Sequence, residues 1–315
     1  MDAPLAVSAD ALTLDQLRLF LAVHDAGSFS AAARSLRRAQ SVVSYGIANL
    51  ERQLGVALFD RTRRKPSLTP AGAELAADAR AVCSQVDRLR ARARGVAQGV
   101  EPQLAVAVDH MFPLPAMVRA LGQFPEHFPT VALTLHTEAL GAVAELVFQG
   151  TCSVGIGTLV PRIPDSIDRR PLARVTMLNV VSPAHPLARS SRLGPVPARA
   201  VREHVQIVLA DRSRMTAGFD IGVLGGRQWR VLDLAAKHAL LRAGLGWGGM
   251  PLHVVAEDLA EKRLVRLHIA EAEAPTFEAV LFAMHRAAEP PGPAATWLLE
   301  RLGEGCTKKR RASST

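Results

Sequence analysis

The chain has 315 residues, a length that predicts two or three domains. Hydrophobic residues make up 49% of it and charged residues 21%, a balance that excludes a wholly disordered protein. No apolar run of about 18 residues occurs, so no membrane-spanning helix is expected, and the N-terminus lacks an export-signal pattern. Cys83, Cys152 and Cys306 are widely spaced, which predicts neither disulfides nor a zinc site and fits a reducing cytoplasm.

The formal charge of +9 is unevenly distributed along the chain. Residues 1–100 contain 14 basic and 9 acidic residues, whereas residues 101–304 contain 20 of each. A basic front on a neutral body indicates a polyanionic partner for the front alone, although a solvated basic surface would give the same count. Residues 305–315 hold four basic and no acidic residues, and we expect them to form a disordered tail.

The first domain is predicted to contain a helix-turn-helix. Apolar spacing predicts three helices with a tight turn before the third, over residues 14–26, 31–38 and 40–53. Val43, Ile47 and Leu50 form an apolar stripe along the third helix, which would hold it against the other two. Its opposite face carries small polar groups that could contact base edges in a major groove. These candidates are Gln40, Ser41, Ser44 and Tyr45.

A basic segment follows the third helix and precedes two prolines. Arg63, Arg64 and Lys65 lie in it, and beside a helix-turn-helix they predict a wing that binds the DNA backbone. An ordinary exposed basic turn is the alternative. Residues 71–98 then predict a long helix whose apolar seam needs a partner, either an identical chain or the body of the same chain.

The rest of the chain alternates short apolar strands with helices, which predicts an α/β domain with a largely parallel sheet. The predicted strands cover residues 104–108, 131–135, 153–156, 176–181, 205–209 and 279–284. The predicted helices cover residues 115–124, 140–149, 234–242 and 294–302.

Three strings over residues 14–72 resemble the N-terminal domain of the LysR-type transcriptional regulators: LDQLRLFLAVHDAGSFSAAARSL, VVSYGIANLERQLGVALFDRTRR and LTPAG. Weaker strings, in the order that the family has, resemble its effector-binding domain. They are FPTVALTLH, LVFQGTCSVGIG, VVSPAHPLA, LRAGLGWGGMP, EDLAEKRLVRL and GPAATWLLERL.

The resemblance implies an α/β protein overall, with an N-terminal all-α winged helix-turn-helix over residues 1–70. A long linker and dimerisation helix over 71–98 and a two-lobed, periplasmic-binding-protein-like α/β domain over 101–304 would follow. Lobe one is expected over about 101–181 and 278–303, and lobe two over about 182–277, with the effector cleft between them. The resemblance also implies a homodimer and, from it, a homotetramer.

The third helix departs from the family pattern. Ala39 stands where a capping serine is usual, so Ser41 is an alternative cap. Ser41, Tyr45 and Gly46 replace the usual proline, arginine and glutamine. The docking geometry of the family is therefore expected, but the base sequence that this helix reads is not predicted.

The resemblance places effector contacts on loops that face each other across the cleft. The candidates are Asp109, His110, Met111, Thr137, Glu138, Thr158, Arg212, Arg214, Gly246 and Trp247. Arg212 and Arg214 favour a carboxylate, whereas Asp109 and Glu138 favour an amine or a neutral polar ligand. Both alternatives stay open.

The leading hypothesis is a cytoplasmic transcriptional regulator that binds double-stranded DNA, a small-molecule effector and copies of itself, with RNA polymerase as a further candidate partner. Binding of a cofactor, a metal or a membrane is not expected.

An enzyme is disfavoured because no catalytic motif occurs, and the glycine-rich string at residues 244–249 lacks the context of a dinucleotide loop. A solute-binding protein is disfavoured by the basic front. A redox role for Cys83 or Cys152 is weakly supported, since no basic cluster accompanies either thiol.

Overall fold

The fold is described from a computed structural model. It describes residues 12–61, 66–219, 222–224, 226–271, 274 and 276–307, with the side chains of residues 306 and 307 excepted. The chain divides between Arg94 and Gly95 into two compact units. No helix among these residues is both long and apolar enough to cross a lipid bilayer.

Among the described residues, the first unit contains four helices and a small hairpin. In chain order they are α1 (Leu14–Ala26), α2 (Phe29–Ser35), α3 (Gln40–Leu54), β1 (Phe59–Asp60), β2 (Ser67–Leu68) and α4 (Pro70–Ala97), the last of which continues into the second unit. Strands β1 and β2 pair antiparallel, which gives the hairpin of a winged helix-turn-helix.

Local capping sets where the first helices begin and end. Thr13 and Gln16 form a capping box at the start of α1, and Gly27 ends that helix at φ 64°. The Ser28 hydroxyl accepts the N–H of Ala31 over 3.1 Å, so α2 begins earlier than predicted and ends at Ser35 instead of Arg38.

Helix α3 is held by apolar packing. Val43, Ile47 and Leu50 have no exposed area and pack with Phe20 of α1 and Leu58 in one cluster. Fully burying an aliphatic side chain of this size stabilises a fold by roughly 1.5–3 kcal/mol. The helix is consequently fixed from one side only, and its other side is left to solvent.

The second unit contains nine strands and seven further helices among the described residues. In chain order they are β3 (Gln103–Asp109), α5 (Leu114–His127), β4 (Ala132–Glu138), α6 (Gly141–Phe148), β5 (Val154–Thr158), β6 (Ile167–Val181), α7 (Pro186–Leu193), α8 (Ala198–Arg202), β7 (Gln206–Leu209), β8 (Gln228–Val231), α9 (Leu234–Arg242), β9 (Trp247–Pro251), α10 (Leu252–Ala260), β10 (Val265–Arg266), β11 (Thr276–Arg286) and α11 (Pro293–Thr307).

The sheet of the second unit is mixed, so the prediction of a largely parallel sheet is wrong. Its order is β4-β3-β5-β11-β6-β9-β7-β8, with β10 beside β6. Strand β3 is parallel to β4 and β5, and β7 is parallel to β8 and β9. The two long strands in the middle, β6 and β11, run antiparallel to each other and to their neighbours. Strand β11 comes from near the C-terminus and pairs between β5 and β6. Local sequence patterns do not predict a pairing between segments so far apart in the chain.

The buried residues of the second unit are divided between two lobes, each with its own cores. Leu104, Ile156 and Leu281 belong to the core of lobe one, and Ile207 and Met250 to a core of lobe two. Strand β6 passes through both lobes: its residues as far as Met177 face lobe-one cores, and Leu178, Val180 and Val181 face those of lobe two. The expected boundary at residue 181 is therefore about four residues too late on this strand.

The C-terminal helix is longer than predicted. Helix α11 reaches Thr307, so the expected disordered tail does not begin at residue 305. Ala294, Leu298 and Leu302 of this helix pack into the lobe-one core. Residues 308–315 lie outside the described residues.

Candidate functional site

The outer face of α3 carries the residues predicted to contact bases. Gln40 and Ser41 are exposed at its first turn, Ser44 is half-buried, and Tyr45 exposes 74% of its surface. Ala39 occupies the N-cap and makes no side-chain hydrogen bond, so Ser41 is not the cap. The helix begins at Gln40, which leaves the N–H groups of Gln40 and Ser41 available to a phosphate oxygen, whereas those of Val42 and Val43 donate to the carbonyl of Ala39.

The wing is only partly described. Arg63, Arg64 and Lys65 lie outside the described residues. At the base of the wing, Glu51 accepts the N–H groups of Leu58 and Phe59 over 2.8 and 3.1 Å, and its second oxygen accepts from Arg61 over 2.9 Å. Glu51 is the one acidic residue of α3, and its carboxylate is therefore held and neutralised at the hairpin.

Helix α4 leaves an apolar seam exposed. Its buried side, with Ala76, Ala79 and Cys83, packs on the first core. Val82 and Leu89, seven residues apart, expose 46% and 67% of their surface. A seven-residue apolar repeat is the pattern of helices that pair with another helix.

The end of β3 is the most enclosed part of the cleft region. The side chain of Asp109 is 1% exposed, and its oxygens accept the N–H groups of Met111 over 2.8 Å and of Leu140 over 3.1 Å. Burial raises the pKa of Asp109 to about 7, and the negative charge of Asp211 adds to the rise. The carboxyl groups of Asp109 in lobe one and Asp211 in lobe two therefore both lie at the start of α6.

A loop of lobe two packs directly on the start of α6 in lobe one. A Cβ atom at Gly141 would lie 2.6 Å from Ser213 Oγ, 2.7 Å from Met215 Cβ and 3.0 Å from Asp211 Oδ2. This position therefore needs glycine because the loop approaches so closely. Asp211 lies in the same loop as Arg212 and Arg214, and its carboxylate accepts the hydroxyl groups of Ser213 and Thr216.

Three predicted effector contacts are core residues instead. The Trp247 side chain has no exposed area, and its indole N–H donates to the carbonyl of Val201 over 3.0 Å. Gly246 is buried, and a Cβ atom there would lie 2.4 Å from the carbonyl oxygen of Val205, so the glycine serves strand packing. Met111 is 6% exposed and packs in the lobe-one core. The sequence around these residues resembles a loop, but Trp247 begins β9, Gly246 directly precedes it, and Met111 follows the end of β3.

The other predicted effector residues stay at the strand ends. The N–H of His110 donates to the carbonyl of Glu138 over 2.9 Å, and Thr137 is exposed beside it. Thr158 ends β5, and its hydroxyl oxygen is buried with no hydrogen-bond partner in the described part of the chain. An effector could satisfy such an atom.

Two arginines extend from the lobe-two loop. The side chains of Arg212 and Arg214 are exposed and form no ion pair with any residue that the structure describes. The loop itself is tied to lobe one, because the backbone N–H of Arg214 donates to Glu145 Oε1. Free guanidinium groups at this position are suited to bind a carboxylate.

Cys83 and Cys152 are buried. Cys83 lies in the first core and Cys152 in lobe one. Burial raises the pKa of the Cys152 thiol to about 11, and the charge of Glu138 contributes. A raised pKa disfavours the thiolate that redox sensing requires. Within the described ranges, no group of three or more metal-binding side chains is placed to hold an ion.

Comparison with known proteins identifies both parts of the chain. Residues 14–73 match the bacterial regulatory helix-turn-helix protein, lysR family, and residues 97–307 match the LysR substrate binding domain. The chain is 31% identical over 254 residues to the HTH-type transcriptional activator AllS of Klebsiella pneumoniae, a match that covers 80% of this chain and 93% of AllS. It is 33% identical over 284 residues to the HTH-type transcriptional regulator PunR of Escherichia coli, which covers 89% of each.

A solved structure agrees at the level of the fold. A cysteine mutant of OxyR from Corynebacterium glutamicum superposes with a TM-score of 0.53 at 20% sequence identity, covering 98% of this chain and 99% of that one. The chain therefore belongs to the LysR family and is a DNA-binding transcriptional regulator with an effector-binding domain.

Proposed function

We propose that a small carboxylate binds between the two lobes and that its binding changes how the protein holds promoter DNA. The observation that carries this proposal is the contact between the lobe-two loop at residues 211–216 and the start of α6 in lobe one. A ligand that binds beside this contact alters its stability. Such a ligand can shift the protein only if it binds one lobe arrangement more tightly than the other.

Two residues favour a carboxylate over an amine. Arg212 and Arg214 are exposed and free of ion pairs within the described residues. Asp109, which would favour an amine, already accepts two backbone N–H groups and is almost wholly buried. The two guanidinium groups are therefore available to a ligand, whereas the carboxyl group of Asp109 is engaged by the backbone.

The experiment measures the affinity of the full-length protein for promoter duplexes recovered by genome-wide mapping of bound DNA. A panel of short mono- and dicarboxylates is compared with the matched amines. We expect a carboxylate to change the affinity, and the double variant Arg212→Ala and Arg214→Ala to lose that response while keeping its basal DNA affinity. Arg199→Ala, an exposed arginine of α8, is the matched control. A response that survives in the double variant contradicts the proposed site.

We also infer that the protein acts as a homodimer that pairs through the exposed seam of α4. Val82 and Leu89 support this inference, because paired helices would cover both. Association of two such dimers into a tetramer, and contact with RNA polymerase, are further proposals that rest on the family. As a regulator of chromosomal promoters, the protein is proposed to act in the cytoplasm, without catalysis and without a bound cofactor.

A further inference from the structure

The outer face of α3 has an apolar patch among its polar groups. Val42 exposes 49% of its surface and Tyr45 exposes 74%. The two residues are three positions apart, so their side chains are neighbours on the helix surface. Neither contributes to the buried stripe of Val43, Ile47 and Leu50, whose side chains point the other way.

The first three turns of this face carry no charged residue. No charged residue occurs from Gln40 to Leu50, and the next residue, Glu51, is held by Arg61 and two backbone N–H groups of the wing. The first turns of α3 therefore offer apolar contact and neutral hydrogen bonds to DNA. Attraction to phosphates must come from other parts of the unit.

We propose that Val42 is a specificity-determining residue, whose methyl groups contact the C5-methyl group of a thymine in the major groove. Thymine is the base that presents a methyl group at that edge. Valine has no hydrogen-bonding group, so apolar contact is the one kind of base recognition open to its side chain. Tyr45 extends the same apolar surface toward the neighbouring base pair. The inference rests on α3 being the helix that enters the groove.

The position of Val42 separates it from an ordinary exposed valine. Scattered apolar side chains are common on protein surfaces and need no function. Val42, however, lies in the first turn of α3, and in helix-turn-helix proteins the N-terminal residues of the recognition helix contact base edges. Val42 and Tyr45 are both exposed and three positions apart on the helix, and the exposed Gln40 and Ser41 precede Val42 in the first turn.

The test removes methyl groups from the DNA, by replacing thymine, and from the protein, by replacing Val42. Full-length protein first selects its preferred duplexes from a random double-stranded DNA library. In the selected duplex, each thymine is then replaced singly by deoxyuridine, which deletes the C5-methyl group and keeps the base-pairing groups. The affinities of the wild-type protein and of Val42→Ala are measured for every duplex by fluorescence anisotropy at one fixed salt concentration.

We expect one thymine in each half-site at which methyl removal weakens wild-type binding by about fourfold, the value of one buried methylene-sized contact. At the same thymine, Val42→Ala should show no further loss, because the contact is already absent. The proposal is overturned if no thymine shows a wild-type penalty, or if the penalties are unchanged in Val42→Ala. A selection that enriches no duplex would overturn the groove-binding role of α3 as well.

Val118→Ala is the matched control. Val118 exposes 59% of its surface on α5 of the second unit, so the same truncation there should leave every thymine penalty unchanged. The unfolding temperatures of both variants should stay close to that of the wild type, because each valine is about half exposed. A penalty lost in both variants would assign the effect to something other than base contact and would overturn the proposal.

Discussion

The backbone N–H of Arg214, in lobe two, donates to Glu145 Oε1, in lobe one, over 3.2 Å. This hydrogen bond joins the loop after β7 to the middle of α6. The contact continues to the start of α6, where Gly141 lies against Ser213 and Met215. The two lobes are therefore connected in two ways: by the strands that pass between them, and by the direct contact of the loop at residues 211–216 with α6.

Replacing Gly141 by alanine tests this contact. The added methyl group would meet three atoms of the loop at 3.0 Å or less, so the loop must move away from α6. Overpacking of this kind typically costs about 1–3 kcal/mol, and we expect a loss of that size in the free energy of unfolding by urea. The effector-dependent change in DNA affinity should also decrease.

Gly122→Ala is the control for the Gly141 prediction. Gly122 lies in α5 with no atom within 4 Å of an added Cβ, and replacing glycine by alanine inside a helix stabilises it by roughly 0.5–1 kcal/mol. The two substitutions should thus change stability in opposite directions. Equal effects would show that the loop contact is not as close as described.

Asp109 should give stability a negative dependence on pH. Its pKa of about 7 in the folded protein, raised chiefly by burial, exceeds the value of about 4 expected in the unfolded chain. Between these values the folded state binds a proton that the unfolded state has released, so this group's contribution to stability is present at low pH and is lost as pH rises toward 7.

The measurement compares urea unfolding of the wild type and Asp109→Asn across that pH range. Other carboxyl groups titrate in both proteins, so the readout is the difference between the two curves. We expect the wild type to lose stability relative to the variant from about pH 4 to pH 7. A constant difference would mean that the pKa of Asp109 is not raised.

Leu89→Glu should weaken dimer formation. Leu89 exposes 67% of its surface on α4, and a carboxylate in a paired apolar seam is desolvated without a partner. Sedimentation velocity of the full-length variant should show a lighter species than the wild type at equal concentration. Ser84→Glu adds the same charge on another face of α4, within reach of Arg88, and should leave the sedimentation coefficient unchanged. The seam assignment fails if both variants behave alike.

Asp258 should be a major stabilising residue of lobe two. The side chain of Asp258, in α10, is 3% exposed and accepts hydrogen bonds from His238 over 2.6 Å and from Arg263. Since His238 lies in α9 and Arg263 lies after the end of α10, these bonds link α10 to both. Burial, the largest influence, raises the pKa of Asp258, but the hydrogen bonds from Arg263 and His238 and the charges of these two residues together outweigh burial, so the pKa lies below its usual value.

Asp258→Asn removes the buried carboxylate that the half-buried side chains of His238 and Arg263 share, and we expect a loss of about 2–4 kcal/mol in thermal or urea unfolding. Glu257→Gln is the neighbouring control, since Glu257 also pairs with Arg263 but is 78% exposed. Exposed pairs contribute roughly 0–1 kcal/mol. A similar effect of the two substitutions would contradict the importance of burial at Asp258.

The basic segment at Arg63, Arg64 and Lys65 should contribute affinity without sequence preference. Replacing all three by alanine removes three positive charges, which should weaken binding to specific and nonspecific duplexes alike. The slope of log affinity against log salt should become shallower by about 0.9 for each phosphate contact that is lost. A loss confined to the selected sequence would instead indicate base contacts by this segment.

The sequence determined the parts of the molecule that depend on neighbours along the chain. The spacing of Val43, Ile47 and Leu50 predicted which side of α3 is buried, because a helix places such residues on one stripe whatever surrounds it. The strings along the chain also indicated the family and its two-part architecture, which the comparisons confirm. Exposure of Gln40, Ser41 and Tyr45 follows from the same periodicity.

The tertiary structure decided what depends on distant partners. Trp247 and Gly246 looked like loop residues, but the strands beside them make them core. Met111 belongs to the core cluster that also contains Leu281 and Leu298 from the far end of the chain. The mixed sheet arises because β11 pairs with β6 across about 100 residues of sequence, and no local period encodes that pairing. The meeting of Asp109, Gly141 and Asp211 has the same origin: each lies at a loop or element end, where side-chain direction is set by whatever packs against it.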